Sequence, residues 1–276
     1  MKRVFTYFLL GVLAVFVSAN AFAQRSPRPA DKVHRLTDEE ALERWNEFLN
    51  SQTAPYYTFA MELEHRPRRG ESVYYDAMMF GKTRGNDFSI RLDISAREGG
   101  SSTTSFLIIS ESGKNKIYRS RGEKIEQLDE SQWHVPLIEG LIYTPFDILM
   151  PYKHWPWKYY GAGRVGRALH FFDLLAPEGF ASEISLVRVG LSREFNAPFQ
   201  TEYFDSQKKL MRTMSLSSVK KFQENWITKQ IEMQDAQLRD KDRLTIMRGS
   251  FTPLPPEIFD AKILNVSALT PALEDL

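Results

Sequence analysis

The chain has 276 residues, 36 basic against 35 acidic side chains for a formal charge of +1, five histidines and no cysteine. A balance this even, with no basic stripe, argues against a nucleic-acid partner. The missing cysteine excludes disulfides, thiol nucleophiles, cysteine-held zinc and lipidation at a cysteine, so an ordinary apolar core must hold the fold.

Lys2 and Arg3, the apolar run Phe5 to Val17, and Ala21-Phe22-Ala23 form the three parts of a secretory signal. The run is shorter than the roughly 20 residues a membrane span needs, so cleavage near Ala23 and release into the periplasm are expected. Loss of Lys2 and Arg3 would leave 34 basic and 35 acidic residues, a net of −1. Residues 1–23 are thus predicted as signal peptide, 24–36 as a flexible leader, 37–264 as one domain and 265–276 as a tail. The domain opens with Thr37-Asp38-Glu39-Glu40, a capping box. Behind it Ala41, Leu42, Trp45, Phe48 and Leu49 recur at helical spacing, which predicts an amphipathic helix.

After Pro55 the period changes from 3.6 to 2. Phe88-Ser89-Ile90-Arg91-Leu92-Asp93-Ile94-Ser95 alternates without a fault, the pattern of a strand with one apolar face. Residues 56–64, 73–82, 103–109, 116–119 and 124–128 are also predicted strands, separated by Gly- and Asn-containing turns. Thr144 to Pro151 reads as a short helix with Pro145 at its first position and Pro151 at its end. An aromatic run follows, from Tyr152 to Tyr160. Strands resume at 168–175, 184–191, 199–204, 210–222, 226–236 and 244–248. Ten to twelve strands with short connections predict a mainly β fold: an incomplete antiparallel β-barrel, a curled meander sheet with an N-terminal amphipathic helix and short lid or plug helices.

Catalytic signatures are missing. There is no Gly-x-Ser-x-Gly, His-Glu-x-x-His or Walker loop, and the histidines have no metal-ligand spacing. Gly161-Ala162-Gly163-Arg164-Val165-Gly166 matches a dinucleotide fingerprint formally, but no parallel strand and crossover helix flank it, so bending glycines are the better reading. Asp147, Glu139 and Asp173 lie near aromatic residues without a second carboxylate. No catalytic residue, cofactor or metal is expected. Methionines 61, 78, 79, 150, 211, 214, 233 and 247 are interspersed with aromatic residues; composition alone favours an ordinary core, and the same residues would also suit a surface that adapts to acyl chains.

Trp226-Ile227-Thr228-Lys229-Gln230-Ile231-Glu232-Met233-Gln234-Asp235, then Asp242-Arg243-Leu244-Thr245-Ile246, then Leu254-Pro255-Pro256-Glu257-Ile258-Phe259 resemble the ending of the outer-membrane lipoprotein-sorting, LolA-like family. Thr144 to Pro151 and the stretch from Tyr160 to Arg167 resemble a bacterial, poorly characterised branch of it. The resemblance implies an incomplete antiparallel barrel whose concave face, lidded by short helices, encloses an apolar cavity for acyl chains. It implies a carrier and not an enzyme, with acylated lipoprotein or lipid as cargo and membrane-bound donor and acceptor complexes as partners. Alternation and helix faces select the lining: Phe88, Ile90, Leu92 and Ile94 as a wall, with Trp45, Phe48, Phe146, Leu149 and Met150 as plug or lid. Two alternatives stand beside this reading: an interaction module with a filled barrel and its function in loops such as Trp155–Trp157, and a barrel enzyme using Asp147 or His154.

Overall fold

The computed structural model describes residues 33–51, 54–98 and 103–276. The predicted signal peptide, and the predicted leader up to residue 32, lie outside the described residues. Helix α1 spans Asp38–Leu49. Its capping box is formed: the Thr37 hydroxyl accepts the Glu40 amide at 3.2 Å, and the Glu40 carboxylate accepts the Thr37 amide at 2.8 Å. The buried stripe is narrower than the sequence suggests. Ala41, Trp45 and Phe48 are buried, whereas Leu42 is 51% exposed, because its side chain lies about 100° around the helix from Ala41.

The strands form one antiparallel sheet. In chain order they are β1 Tyr56–Arg66, β2 Val73–Arg84, β3 Asp87–Ala96, β4 Thr103–Glu111, β5 Lys114–Arg121, β6 Lys124–Leu128, β7 Trp157–Val165, β8 Arg167–Leu175, β9 Leu186–Ser192, β10 Pro198–Phe204, β11 Leu210–Phe222, β12 Asn225–Asp235 and β13 Lys241–Ser250. Their lateral order is β6-β5-β4-β3-β2-β1-β13-β12-β11-β10-β9-β8-β7, with a two-residue β14, Glu274–Asp275, added to β13. Each hairpin neighbour in sequence is a neighbour in space, and the one long-range pairing, β1 with β13, joins the two halves. The edges β6 and β7 do not pair with each other, so the sheet is an open, curled β-sheet with a few small helices.

β7 lies where the sequence reading saw only an aromatic run. Its alternation is hidden by a bulge at Tyr159/Gly161, where two residues oppose one on β8. The Gly-x-Gly-x-x-Gly match falls inside this antiparallel hairpin, with Gly166 (φ +67°) turning β7 into β8. No crossover helix follows it.

One face of the sheet carries a single apolar core. Along β3, Phe88, Ile90, Leu92 and Ile94 point into it, and their partners Gly81, Met79 and Ala77 on β2 and Ile108 and Phe106 on β4 continue the layer sideways. Gly81 is needed there: a Cβ would sit 1.8 Å from the Tyr57 ring, which crosses the β2 backbone at that point. Arg91 belongs to the opposite face, where its guanidinium meets Asp93 at 2.9 Å and the carbonyls of Leu264 and Val266. Those carbonyls belong to the C-terminal stretch, which returns across the outside of β2 and β3 and forms a second small core of Phe80, Leu254 and Ile258. Among the described residues no helix is long and apolar enough to cross a membrane.

Candidate functional site

Two segments cover the concave face. The first is α1. Trp45 packs at ring-centroid distances of 5.0 Å on Phe172, 5.6 Å on Trp157 and 5.0 Å on Phe48, which seats the helix against β7 and β8. The second is the long connection between β6 and β7. It contains a 3-10 turn, Glu130–His134, helix α2, Pro145–Leu149, and another 3-10 turn, Pro151–His154. Pro145 starts α2 as predicted, and Met150 ends it in the left-handed region at φ +49°. That conformation costs a side-chain-bearing residue on the order of 1–2 kcal/mol, so tertiary contacts must hold the sharp turn.

All nine residues named as lining are buried in one continuous cluster: Trp45, Phe48, Phe88, Ile90, Leu92, Ile94, Phe146, Leu149 and Met150. Phe146 lies at the centre of the lid, its ring centroid 4.5 Å from that of His134, 5.7 Å from Tyr152, 6.0 Å from Trp155 and 6.4 Å from Tyr203 of β10. The hollow of the sheet is therefore occupied, and much of its filling comes from a helix of five residues and its flanks.

Polar contacts fix that segment at two points. Asp147, fully buried on α2, accepts the Thr144 amide at 2.9 Å and the Thr144 hydroxyl at 2.8 Å, and pairs with Arg212 of β11 at 2.8 Å. Arg212 also stacks on Tyr203, 4.7 Å from its centroid. Asp242, fully buried at the start of β13, accepts the amides of Ile142 and Tyr143 and meets His65 Nδ1 at 2.7 Å. Burial raises the Asp242 pKa above the usual carboxylate value, and His65 and the two amides oppose that shift. The enzyme alternative fares poorly at its named residues. Asp147 spends its carboxylate on the cap and the ion pair, and His154 is exposed at the end of its turn.

The sequence reading missed Arg212, Asp242 and His65. A signal existed for two of them. Asp242 shares a strand face with Leu244 and Ile246, and Arg212 with Met214, so each is a charge in an apolar slot. The lid and the strand it meets carry further polar groups without hydrogen-bond partners among the described residues: the Tyr143 hydroxyl and both His134 ring nitrogens on the lid, and Arg212 Nε on β11. Such groups cost about 1–3 kcal/mol each when dry. Burial pushes His134 down to about 4 and the Tyr143 hydroxyl well up.

A cavity of about 740 Å³ opens beside the lid, lined by Leu141, Ile142, Ile184, Met211 and Leu238 with His134 and Arg212. A larger one, about 940 Å³, lies on the convex face under residues 265–270 and is walled largely by Arg91, Asp93, Arg97 and serines. The first adjoins the apolar core of the concave face; the second lies on the opposite face. No cluster of metal-ligand type occurs among the described residues.

Comparisons with known proteins agree with this architecture. A putative outer membrane lipoprotein-sorting protein domain from Vibrio parahaemolyticus superposes with a TM-score of 0.69 at 15% identity, covering 82% of this chain and 96% of that one. A DUF1329 family protein from Desulfovibrio piger gives 0.66 at 11% identity, covering 77% and 92%. A LolA superfamily protein from Nitrosomonas europaea gives 0.56 at 12% identity, covering 82% and 98%. A family described only as an uncharacterized protein matches residues 175–265. Among curated proteins no sequence matches.

Proposed function

We propose that this chain, which has a LolA-like fold, is a periplasmic carrier that shelters the acyl chains of a lipoprotein or lipid between the β3 wall and the lid. One observation carries the reading: a continuous apolar concave face is closed by a short tethered segment and not by a second sheet. Displacing α2 would expose Phe88, Ile90, Leu92 and Ile94 together with Phe146, Leu149 and Met150, all apolar. Each acyl methylene sheltered there contributes about 0.8 kcal/mol. The dry Tyr143, His134 and Arg212 groups at the lid weaken the closed state, so hydrocarbon can compete with it. Delivery requires opening alone, so no bond is made or broken. Membrane-bound donor and acceptor complexes would supply and remove the cargo.

The filled-barrel alternative rests on the occupied hollow. Native mass spectrometry of protein isolated from its own cell envelope separates the two. Bound lipid or lipopeptide, lost from a Leu92→Glu variant that still folds, supports the carrier. Protein that emerges bare, and stays bare after incubation with acylated peptide, overturns it.

A further inference from the structure

β12 and β13 separate partway along their length. Their ladder stops at Gln230 and Thr245, although β12 begins at Asn225 and β13 runs on to Ser250. Residues 274–276 enter the fork. On one edge of β13, Arg248 and Gly249 pair with Ala60 and Phe59 of β1; on the edge that β12 has left, they pair with Asp275 and Glu274. The Leu276 amide donates to the Met247 carbonyl at 2.9 Å. Lys229 of β12 donates to the carbonyls of Ile246 and Leu276, and Gln223 in the β11–β12 turn donates to the Glu274 carboxylate at 3.3 Å. The Leu276 side chain packs against the main core over Gly249, where a Cβ would stand 3.2 Å from its Cδ1.

The hold on this stretch is slight. Only two of its residues form a ladder, and residues 267–273 before them have no regular structure. Residues 265–270 border the hollow of about 940 Å³ on the convex face without filling it, and Leu269 is 83% exposed. A strand edge covered by so short a partner is open to exchange, and an added strand binds through its backbone and is selected through its side chains. The resident residues show what the fork selects. Arg248 stands opposite Asp275, Lys229 reaches the Leu276 carbonyl, and Lys220 lies close enough to Lys229 to oppose its charge. These cations suit an acidic strand, and the bare Gly249 leaves a seat for a large aliphatic side chain. We propose that the fork is a strand-addition site for an extended segment of a partner protein, two acidic residues followed by a large aliphatic one, with Glu274–Leu276 as its exchangeable resident. A second copy offers only the residues that each fork already holds on a short tether, so exchange between copies gains nothing. A longer partner strand can follow β13 over residues 246–250, of which β14 takes two. The site stands whether or not the chain carries acyl groups.

The test uses the full chain and a fluorescein-labelled peptide of residues 270–276, read by fluorescence anisotropy. In Leu276→Glu the resident strand loses its seat, so the peptide should bind at least roughly tenfold tighter than to the parent, where the resident competes. Asp275→Lys releases the resident by a second route and should also tighten binding. Within Leu276→Glu, Arg248→Glu should weaken the peptide by roughly three- to tenfold, and a peptide carrying Asp275→Lys should recover that loss. Arg248 is exposed, so its replacement leaves folding intact. A peptide carrying Leu276→Asp should not bind. In the parent, the Leu276 amide should exchange its hydrogen far faster than those of Leu244 and Thr245. Equal protection of the three, or no gain of affinity in Leu276→Glu, would make residues 274–276 a fixed strand and overturn the proposal. Equal binding of the acidic peptide and one with both Glu274 and Asp275 replaced by lysine overturns the partner's stated chemistry. Parent dimers joined by exchanged C-terminal stretches would assign the fork to a second copy and overturn the partner.

Discussion

The ion pair between Asp147 and Arg212 offers the most direct test of a lid. In Arg212→Gln the carboxylate stays fully buried and loses its charged partner, while the partner side chain had been only 12% exposed. Breaking a buried pair from one side typically costs about 3–5 kcal/mol. Asp147 keeps two hydrogen bonds from Thr144, at 2.8 and 2.9 Å, which lowers the expected loss to about 2–3 kcal/mol. If the contacts of α2 form a unit separable from the sheet, that loss falls on lid closure. The open fraction should then rise by roughly 30- to 150-fold while the closed form still dominates, and acyl affinity by the same factor. Hydrogen exchange resolved by residue, together with titration of a fluorescent fatty acid, measures both. Amides of residues 142–152 should exchange faster while those of β2 and β3 stay protected. The double variant Asp147→Asn/Arg212→Gln should recover part of the stability, because no bare charge remains. Exchange that accelerates equally in α2 and β3, with affinity unchanged or lower, would show that the segment is part of the global core and refute the lid.

Other substitutions examine the frame around it. Gly81→Ala should destabilise the chain by about 1–3 kcal/mol in urea unfolding, because a Cβ there meets the Tyr57 ring at 1.8 Å, and Tyr57→Leu in the same chain should restore most of the loss. Thr37→Ala removes the acceptor of the Glu40 amide and should cost about 1 kcal/mol, read as lost helicity and a lower urea midpoint. Acid should weaken the fold between pH 6.5 and 4: His134 and His170 are both pushed down to about 4 by burial, so the unfolded chain takes up protons that the folded chain refuses. Each histidine contributes on the order of 1–2 kcal/mol after allowance for solvent screening, with Asp242, raised by burial, acting in the opposite direction. His134→Phe should flatten its share of that pH dependence in denaturant titrations.

How much of this was legible depends on how local the signal is. The capping box, the β3 alternation and the Pro145 helix start are set within a few residues, and each forms as the sequence indicates. β7 was obscure because its bulge breaks the period that identifies a strand, and because its glycines imitate a phosphate loop. The stripe of α1 came out one residue too wide, since spacing alone does not say how deep a helix sits in its groove. The buried faces of β3, α1 and α2 could be named from alternation and spacing. The tethers could not be paired: Arg212 meets Asp147 across 65 residues, and Asp242 meets the Ile142 amide across 100. Their trace is local all the same, a charge at an apolar register position, and that pattern is worth seeking in other curled sheets.

A filled hollow counts against a carrier only until the filling is identified. A barrel closed for good would be expected to seal its interior with strands or with side chains of the sheet, whose removal unravels the fold. Here β6 and β7 do not pair with each other, and between them runs the connection that supplies Leu137, Leu141, Tyr143, Phe146, Ile148 and Leu149 to the interior. Hydrocarbon could replace those side chains without breaking a backbone ladder, since the bonds at stake are the Asp147 and Asp242 contacts and a few turns of the lid itself.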